Sequence, residues 1–188
     1  VHLSINPSDE AIEILKTNLD EIYWAELSRN TNRNAIELLK ANQEKINWNS
    51  LSINTAAIEL LKENQDKIDW YLLSRNSNQE AIKLLKANQE NIYWPYLSSN
   101  PNAIELLKEN QDKIDWYLLS RNSNQEAIKL LKANQENIYW PYLSSNPNAI
   151  ELLKENKTKI DWGELSANPN SEAIELLKKK IKISKKIK

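Results

Sequence analysis

Apolar positions follow one asymmetric rhythm from end to end: Ala-Ile-x-Leu-Leu (Ile for the first Leu in the first copy), a polar stretch, then Ile-x-Trp-x-x-Leu-Ser. Copies begin at Ala11, Ala35, Ala57, Ala81, Ala103, Ala127, Ala149 and Ala173, and all but the last carry a tryptophan thirteen residues on. In the first block Ile104 lies three residues and Ala103 four residues before Leu107, so all three share one helical face. Asn100-Pro101 and Asn146-Pro147 read as an N-cap followed by proline in the first turn. Ser77-x-x-Glu80 and Ser123-x-x-Glu126 read as capping boxes. The first helix is expected to close at Asn18, Asn42, Asn64, Asn88, Asn110, Asn134 and Asn156, because Asn tolerates a left-handed helix end and can cap the next helix. A second helix carries the tryptophan. Pro95 and Pro141 directly after it predict a short or broken helix in those copies.

Successive tryptophans are 24 or 22 residues apart in strict alternation, giving a 46-residue double period. The difference lies between the serine of Leu-Ser and the next Ala, where Ser28–Ala35 and Ser52–Ala57 differ in length, and is assigned to a loop. Residues 57–110 and 103–156 are identical, which implies recent duplication or deliberate construction. One unit has too few large apolar side chains to offset the entropy of ordering it, so units must bury their faces against neighbours. The expected fold is all-α, an α-solenoid of two-helix repeats of about 22–24 residues forming one elongated domain over residues 1–188. A leucine-rich-repeat-like horseshoe is the alternative, since its period also fits.

Composition adds constraints. Cysteine is absent, which excludes disulfides and thiolate chemistry, and one glycine cannot build a phosphate-binding loop. No apolar run approaches the length of a membrane span, and nothing after Val1 reads as a signal peptide. An intracellular location suits this composition. Val1 in place of methionine suggests a fragment, a processed chain or an engineered one. The net charge of −1 hides an asymmetry: residues 178–188 hold seven lysines, leaving 18 basic against 26 acidic residues elsewhere. An acidic body argues against nucleic acid as a partner.

The stretch Leu-Ser-x-Asn-Pro-Asn-Ala-Ile-x-Leu-Leu-x-x-Asn-x-x-x-Ile-x-Trp, at residues 97–116 and 143–162, resembles a short tandem repeat abundant in giant viruses of amoebae and other protists. The resemblance runs from Leu3 to about Leu177. Many copies in that family carry proline after the mid-unit Asn; here Leu19, Gln43, Gln65, Gln89, Gln111, Gln135 and Lys157 stand there. The resemblance implies a helical repeat protein, virion-associated or cytoplasmic, and brings no catalytic residues.

Candidate chemistry is sparse. His2 reads as a fraying terminal residue, and Asp69, Asp115 and Asp161 before their tryptophans read as a solvated face or local caps. No nucleophile–base pair, metal cluster or cofactor motif is visible, so an enzyme is not expected. Trp24, Trp48, Trp70, Trp94, Trp116, Trp140 and Trp162 are expected to form the inter-repeat core, their indole N–H groups reaching backbone or Asn oxygens. All seven tyrosines lie within three residues of a tryptophan. Tyr71, Tyr93, Tyr96, Tyr117, Tyr139 and Tyr142 beside Arg75 and Arg121 form the candidate interaction surface. The expected function is a non-enzymatic scaffold for a protein or peptide partner; a self-assembling, virion-associated component is the alternative, and a nucleic-acid reader the third.

Overall fold

A computed structural model describes residues 3–186, with side chains to residue 182; His2 lies outside them. The described residues contain α-helices and 3-10 turns and no strand, which removes the leucine-rich alternative. The chain is a helical repeat protein. It divides into two compact units, Val1–Tyr93 and Trp94–Lys188.

Each repeat has three parts. A first helix, for example Gln79–Ala87 or Ile104–Glu109, is followed by a 3-10 turn such as Gln111–Lys113, then by a short helix opening on the tryptophan, such as Trp116–Leu119. Within the first unit, helix Asp9–Lys16 packs on Arg33–Lys40, Ile58–Glu63 on Gln79–Ala87, and Trp48–Ser52 on Trp70–Leu73. In the second, Ile104–Glu109 packs on Gln125–Ala133, and Trp140–Ser145 on Trp162–Leu165. Like stacks on like, the local packing of an α-solenoid.

The mid-unit asparagine stops the first helix by a route other than the left-handed one. Asn110 has φ −134° and ψ 54°, and its Nδ2 donates to the Leu106 carbonyl at 2.9 Å. The side chain thus replaces the backbone donor that a further helical turn would bring to that carbonyl. In the last copy Lys180 stands where this asparagine would be, and the helix Ser171–Lys186 runs on for 16 residues. Lysine cannot make that bond and leave the helix, so the turn is lost. Its ammonium instead lies 4.1 Å from the Trp162 ring centroid.

Three further expectations are corrected. The caps at Ser77 and Ser123 shift by one residue: Asn78 and Asn124 accept from the Glu80 and Glu126 N–H groups. The glutamates are then free to pair with lysines. Pro95 and Pro141 do not break their helices, which at Trp94–Ser99 and Trp140–Ser145 outrun the four-residue Trp116–Leu119. Proline there falls in the first turn, where its missing N–H would have no intrahelical partner anyway. The alternating length is not simply loop: Gln125–Ala133 starts two residues before Ala127, whereas Ile104–Glu109 follows a 3-10 turn, Pro101–Ala103. The Asn100-Pro101 start is as expected, with Asn100 accepting from Asn102 N–H.

The core is aliphatic. Ala103, Ile104, Leu106, Leu107, Ile114 and Leu119 are buried, and their equivalents recur along both units. Neighbouring repeats do the burying. Ile14, equivalent to buried Leu60, is 49% exposed on the side where the described residues supply no neighbouring first helix, and Ile174, equivalent to buried Ile150, is 52% exposed. The seven tryptophans assigned to this core are instead half-buried, and among the described residues none of their indoles donates a hydrogen bond. Each opens a short helix at the margin of the stack, so one ring edge keeps solvent and the N–H needs no protein acceptor.

Two polar rails run through the stack of each unit. The buried Asn122 donates from Nδ2 to the Ser98 and Asn100 carbonyls of the preceding repeat and accepts the Asn124 N–H on Oδ1. Asn30, Asn54, Asn76, Asn146 and Asn168 repeat the arrangement. Beside them, Ser98 donates to the Trp94 carbonyl and accepts the Asp115 N–H of the next repeat. Ser4, Ser28, Ser52, Ser74, Ser120 and Ser144 accept likewise. No described buried side-chain polar atom lacks a partner. The fixed Ser and Asn of the repeat are therefore interface residues.

Candidate interaction surface

The residue before each tryptophan is the N-cap of its helix. Asn47, Asp69, Asp115 and Asp161 fill that role, each accepting from an N–H three residues on at 2.9–3.0 Å. The aspartates are thus local caps. Tyr23 and Tyr139 occupy the same position and make no cap bond, since a phenol reaches past the helix end. The backbone is not the reason: Tyr23 has φ −84° and ψ 90°, against −84° and 98° at Asn47. A missing cap costs about 1 kcal/mol.

What stands there instead is exposed aromatic surface. In the second unit Tyr139 meets Tyr117 and Tyr142, with ring centroids 4.4, 4.6 and 5.0 Å apart for the pairs 117–139, 117–142 and 139–142. Tyr117 comes from one tryptophan helix and Tyr142 from the next. Tyr117 donates its O–H to the Tyr142 phenol oxygen at 2.8 Å, and this bond, with some burial, raises the Tyr117 pKa. The Arg121 guanidinium carbon sits 4.8 Å over the Tyr142 ring. Arg121 is exposed and makes no ion pair among the described residues. Tyr117 is 46% and Tyr139 39% exposed, while Tyr142 is half-buried.

The remaining candidates lie in both units. Tyr71 and Tyr93 form the equivalent pair within the first unit, at 4.4 Å, and are exposed, as is Arg75. Tyr96, in helix Trp94–Ser99 of the second unit, is half-buried. Sequence reasoning grouped these residues by their nearness to tryptophan but missed the forgone caps. The alternation of Asp or Asn with Tyr at one fixed position was the available signal.

Elsewhere the surface is zwitterionic. Lys62 bridges Glu59 and the next repeat's Glu80, and Glu80 also pairs with Lys83; these lysines, Lys62 first, hold the Glu80 carboxyl down at about 2. Lys129 and Lys108 do the same to Glu126, also to about 2. Among the described residues no group of three His, Cys, Asp or Glu side chains is placed to hold a metal, and no helix is long and apolar enough to cross a membrane.

A shallow opening of about 190 Å³ lies between helices Arg33–Lys40 and Ile58–Glu63, lined by Thr31, Ile36, Ala56 and Leu60 among others. Its origin is legible. Asn148 and Asn170 reach back to the Ser123 and Pro147 carbonyls, as Asn32, Asn78 and Asn124 do to theirs, but Ala56 has no such group for Thr31. Compared with known proteins, the chain matches no family model, no curated protein and no solved structure.

Proposed function

We propose that this chain is a non-enzymatic repeat scaffold that binds a protein or peptide through its tyrosine–arginine surface. The residues proposed are Tyr71, Arg75 and Tyr93 on the first unit and, separately, Tyr96, Tyr117, Arg121, Tyr139 and Tyr142 on the second. One observation carries the reading: at Tyr139 a helix cap available to Asn or Asp on the same backbone is forgone, and the side chain present joins an exposed aromatic cluster. The ring contacts offset part of the lost cap, and they leave an aromatic face open to a ligand. Tyrosine and arginine are also the side chains that concentrate binding energy at interfaces. The acidic body favours a protein over a nucleic acid, and the resemblance of residues 97–116 to giant-virus repeats favours a viral protein of the virion or host cytoplasm.

The test is selection from a random peptide display library against the wild-type chain, with counter-screening on a variant carrying Arg75→Ser, Tyr96→Ser, Arg121→Ser and Tyr142→Ser. None of the four residues is itself a buried aliphatic, and circular dichroism verifies the fold. Enriched peptides are expected to lose binding to the variant. Peptides that bind both chains equally would place recognition elsewhere.

A further inference from the structure

We infer that the cluster of Tyr117, Tyr139, Tyr142 and Arg121 is a site for a proline-rich extended segment bearing a carboxylate. The inference rests on the proposed binding role of this surface and names the partner's chemistry. Tyr142 accepts the Tyr117 O–H and so keeps its own proton to give outward. Arg121, stacked on the Tyr142 ring, presents guanidinium N–H groups that no described carboxylate occupies. The exposed Tyr139 adds a further ring and phenol to the cluster. Tilts of 48° and 53° between Tyr117 and its two neighbours splay the rings, and Tyr117 and Tyr139 remain accessible.

The site therefore offers donors and apolar aromatic faces. Its natural complement is a chain of acceptors and apolar rings. A polyproline II segment is such a chain: proline has no N–H, its carbonyls are unpaired, and its pyrrolidine rings seat against aromatic faces. The helix is already extended before binding, so little ordering entropy opposes docking on a shallow surface. Arg121 adds a positive charge beside the rings that no described carboxylate pairs, so a carboxylate on the ligand would complement it.

Alternative occupants fit less well. An amphipathic helix brings no free backbone acceptors at its middle and needs an apolar groove. A β-strand needs an open sheet edge, and the described residues contain no strand. Residues 57–110 and 103–156 are identical in sequence, so each variant is made at the equivalent position of both copies.

The probe is a fluorescein-labelled peptide, Pro-Pro-Glu-Pro-Pro-Glu-Pro-Pro, followed by fluorescence anisotropy against the full chain. Saturable binding is expected. Replacing its prolines by alanine should abolish saturation, and replacing Glu by Gln should weaken binding about five- to tenfold, the margin of a charge-assisted over a neutral hydrogen bond. In the protein, Tyr96→Phe with Tyr142→Phe keeps the rings and removes the outward phenol donor; affinity should fall about fivefold. Arg75→Gln with Arg121→Gln should erase the preference for Glu over Gln in the probe. An alanine probe that binds as well as the proline one overturns the inference, as does a Phe variant of unchanged affinity. If the probe fails while display-selected peptides still require the cluster, the proline assignment falls and the scaffold reading stands.

Discussion

Replacing Asn122 by Ala tests whether the asparagine rail holds consecutive repeats together. Asn122 is fully buried and makes three hydrogen bonds, to the Ser98 carbonyl at 2.9 Å, the Asn100 carbonyl at 3.1 Å and the Asn124 N–H at 2.9 Å. Alanine removes all three. The Asn100 carbonyl keeps the Ala103 N–H at 3.2 Å, but the Ser98 carbonyl and the Asn124 N–H lose the partner the rail provides. At about 1–3 kcal/mol for the buried Ser98 carbonyl and about 1 kcal/mol for the part-buried Asn124 N–H, the loss is roughly 2–4 kcal/mol. Urea unfolding followed by far-UV circular dichroism reads it as a fall in midpoint. The transition should also broaden, because a weakened nearest-neighbour interface lets the two sides of a repeat array unfold less cooperatively. Asn122→Asp sharpens the test. The carboxylate keeps an acceptor for Asn124 but faces two carbonyl oxygens without a proton to give, so it should cost at least as much as alanine near neutral pH. Below the carboxyl pKa a proton restores one donor and part of the loss. Exposed Asn137→Ala is the control, expected within about 0.5 kcal/mol of wild type. An Asn122→Ala midpoint equal to that of the control would refute the rail as a stabilising device.

Other outcomes rest on the same geometry. Tyr23→Asn should stabilise by about 1 kcal/mol, because Asn47 caps its helix from nearly identical backbone angles; thermal melting that shows no gain would discount the forgone-cap argument. Ala56→Asn should restore the missing side-chain bond to the Thr31 carbonyl and fill the opening beside it, raising the urea midpoint by about 1 kcal/mol of stability; a lower midpoint would mean that the site cannot take the side chain. Glu80 and Glu126 have folded pKa values of about 2 against an ordinary 4.5, so their contribution is complete above about 4.5 and vanishes as pH falls through 2. Glu80→Gln with Glu126→Gln should flatten the acid limb of stability across that window at low salt, and a limb unchanged from wild type would show the ion pairs to be inert.

The repeat, its helical character and the close of each first helix were legible because they rest on patterns that one sequence carries: apolar spacing, a proline in a first turn, an asparagine at a constant phase. What was not legible depends on which face a neighbour covers. Tryptophan's size marked it as core, yet Leu107 and Leu119 are fully buried and Trp116 is not, since the stack is closed by aliphatic rows and the indole sits at its margin. The serine of Leu-Ser could be read only as a local residue; its acceptor role spans two repeats, from Ser98 to Asp115. Asn78 as the cap in place of Ser77 turns on a one-residue shift that the spacing to Glu80 cannot resolve. Tyr117, Tyr139 and Tyr142 meet because residues beside successive tryptophans stand one repeat apart on the same row of helices.

The rails and the surface answer different requirements, and this is why they can vary independently. Asn122, Ser98 and the buried leucines bond or pack to backbone and aliphatic groups present in each repeat, so their partners are supplied whatever the outer residues are. The residue before tryptophan has no such obligation. It presents its main-chain N–H to the serine of the preceding repeat whether it is Tyr23, Asn47 or Asp69, so the inter-repeat bond survives any side chain there. Only the cap is at stake, about 1 kcal/mol. An array stabilised by many interfaces tolerates that loss at a few positions, and those positions are where aromatic side chains are displayed. The exposed tyrosines thus stand on a row of the repeat where a change of side chain leaves the stacking bonds intact, which is where the proposed recognition would cost the fold least.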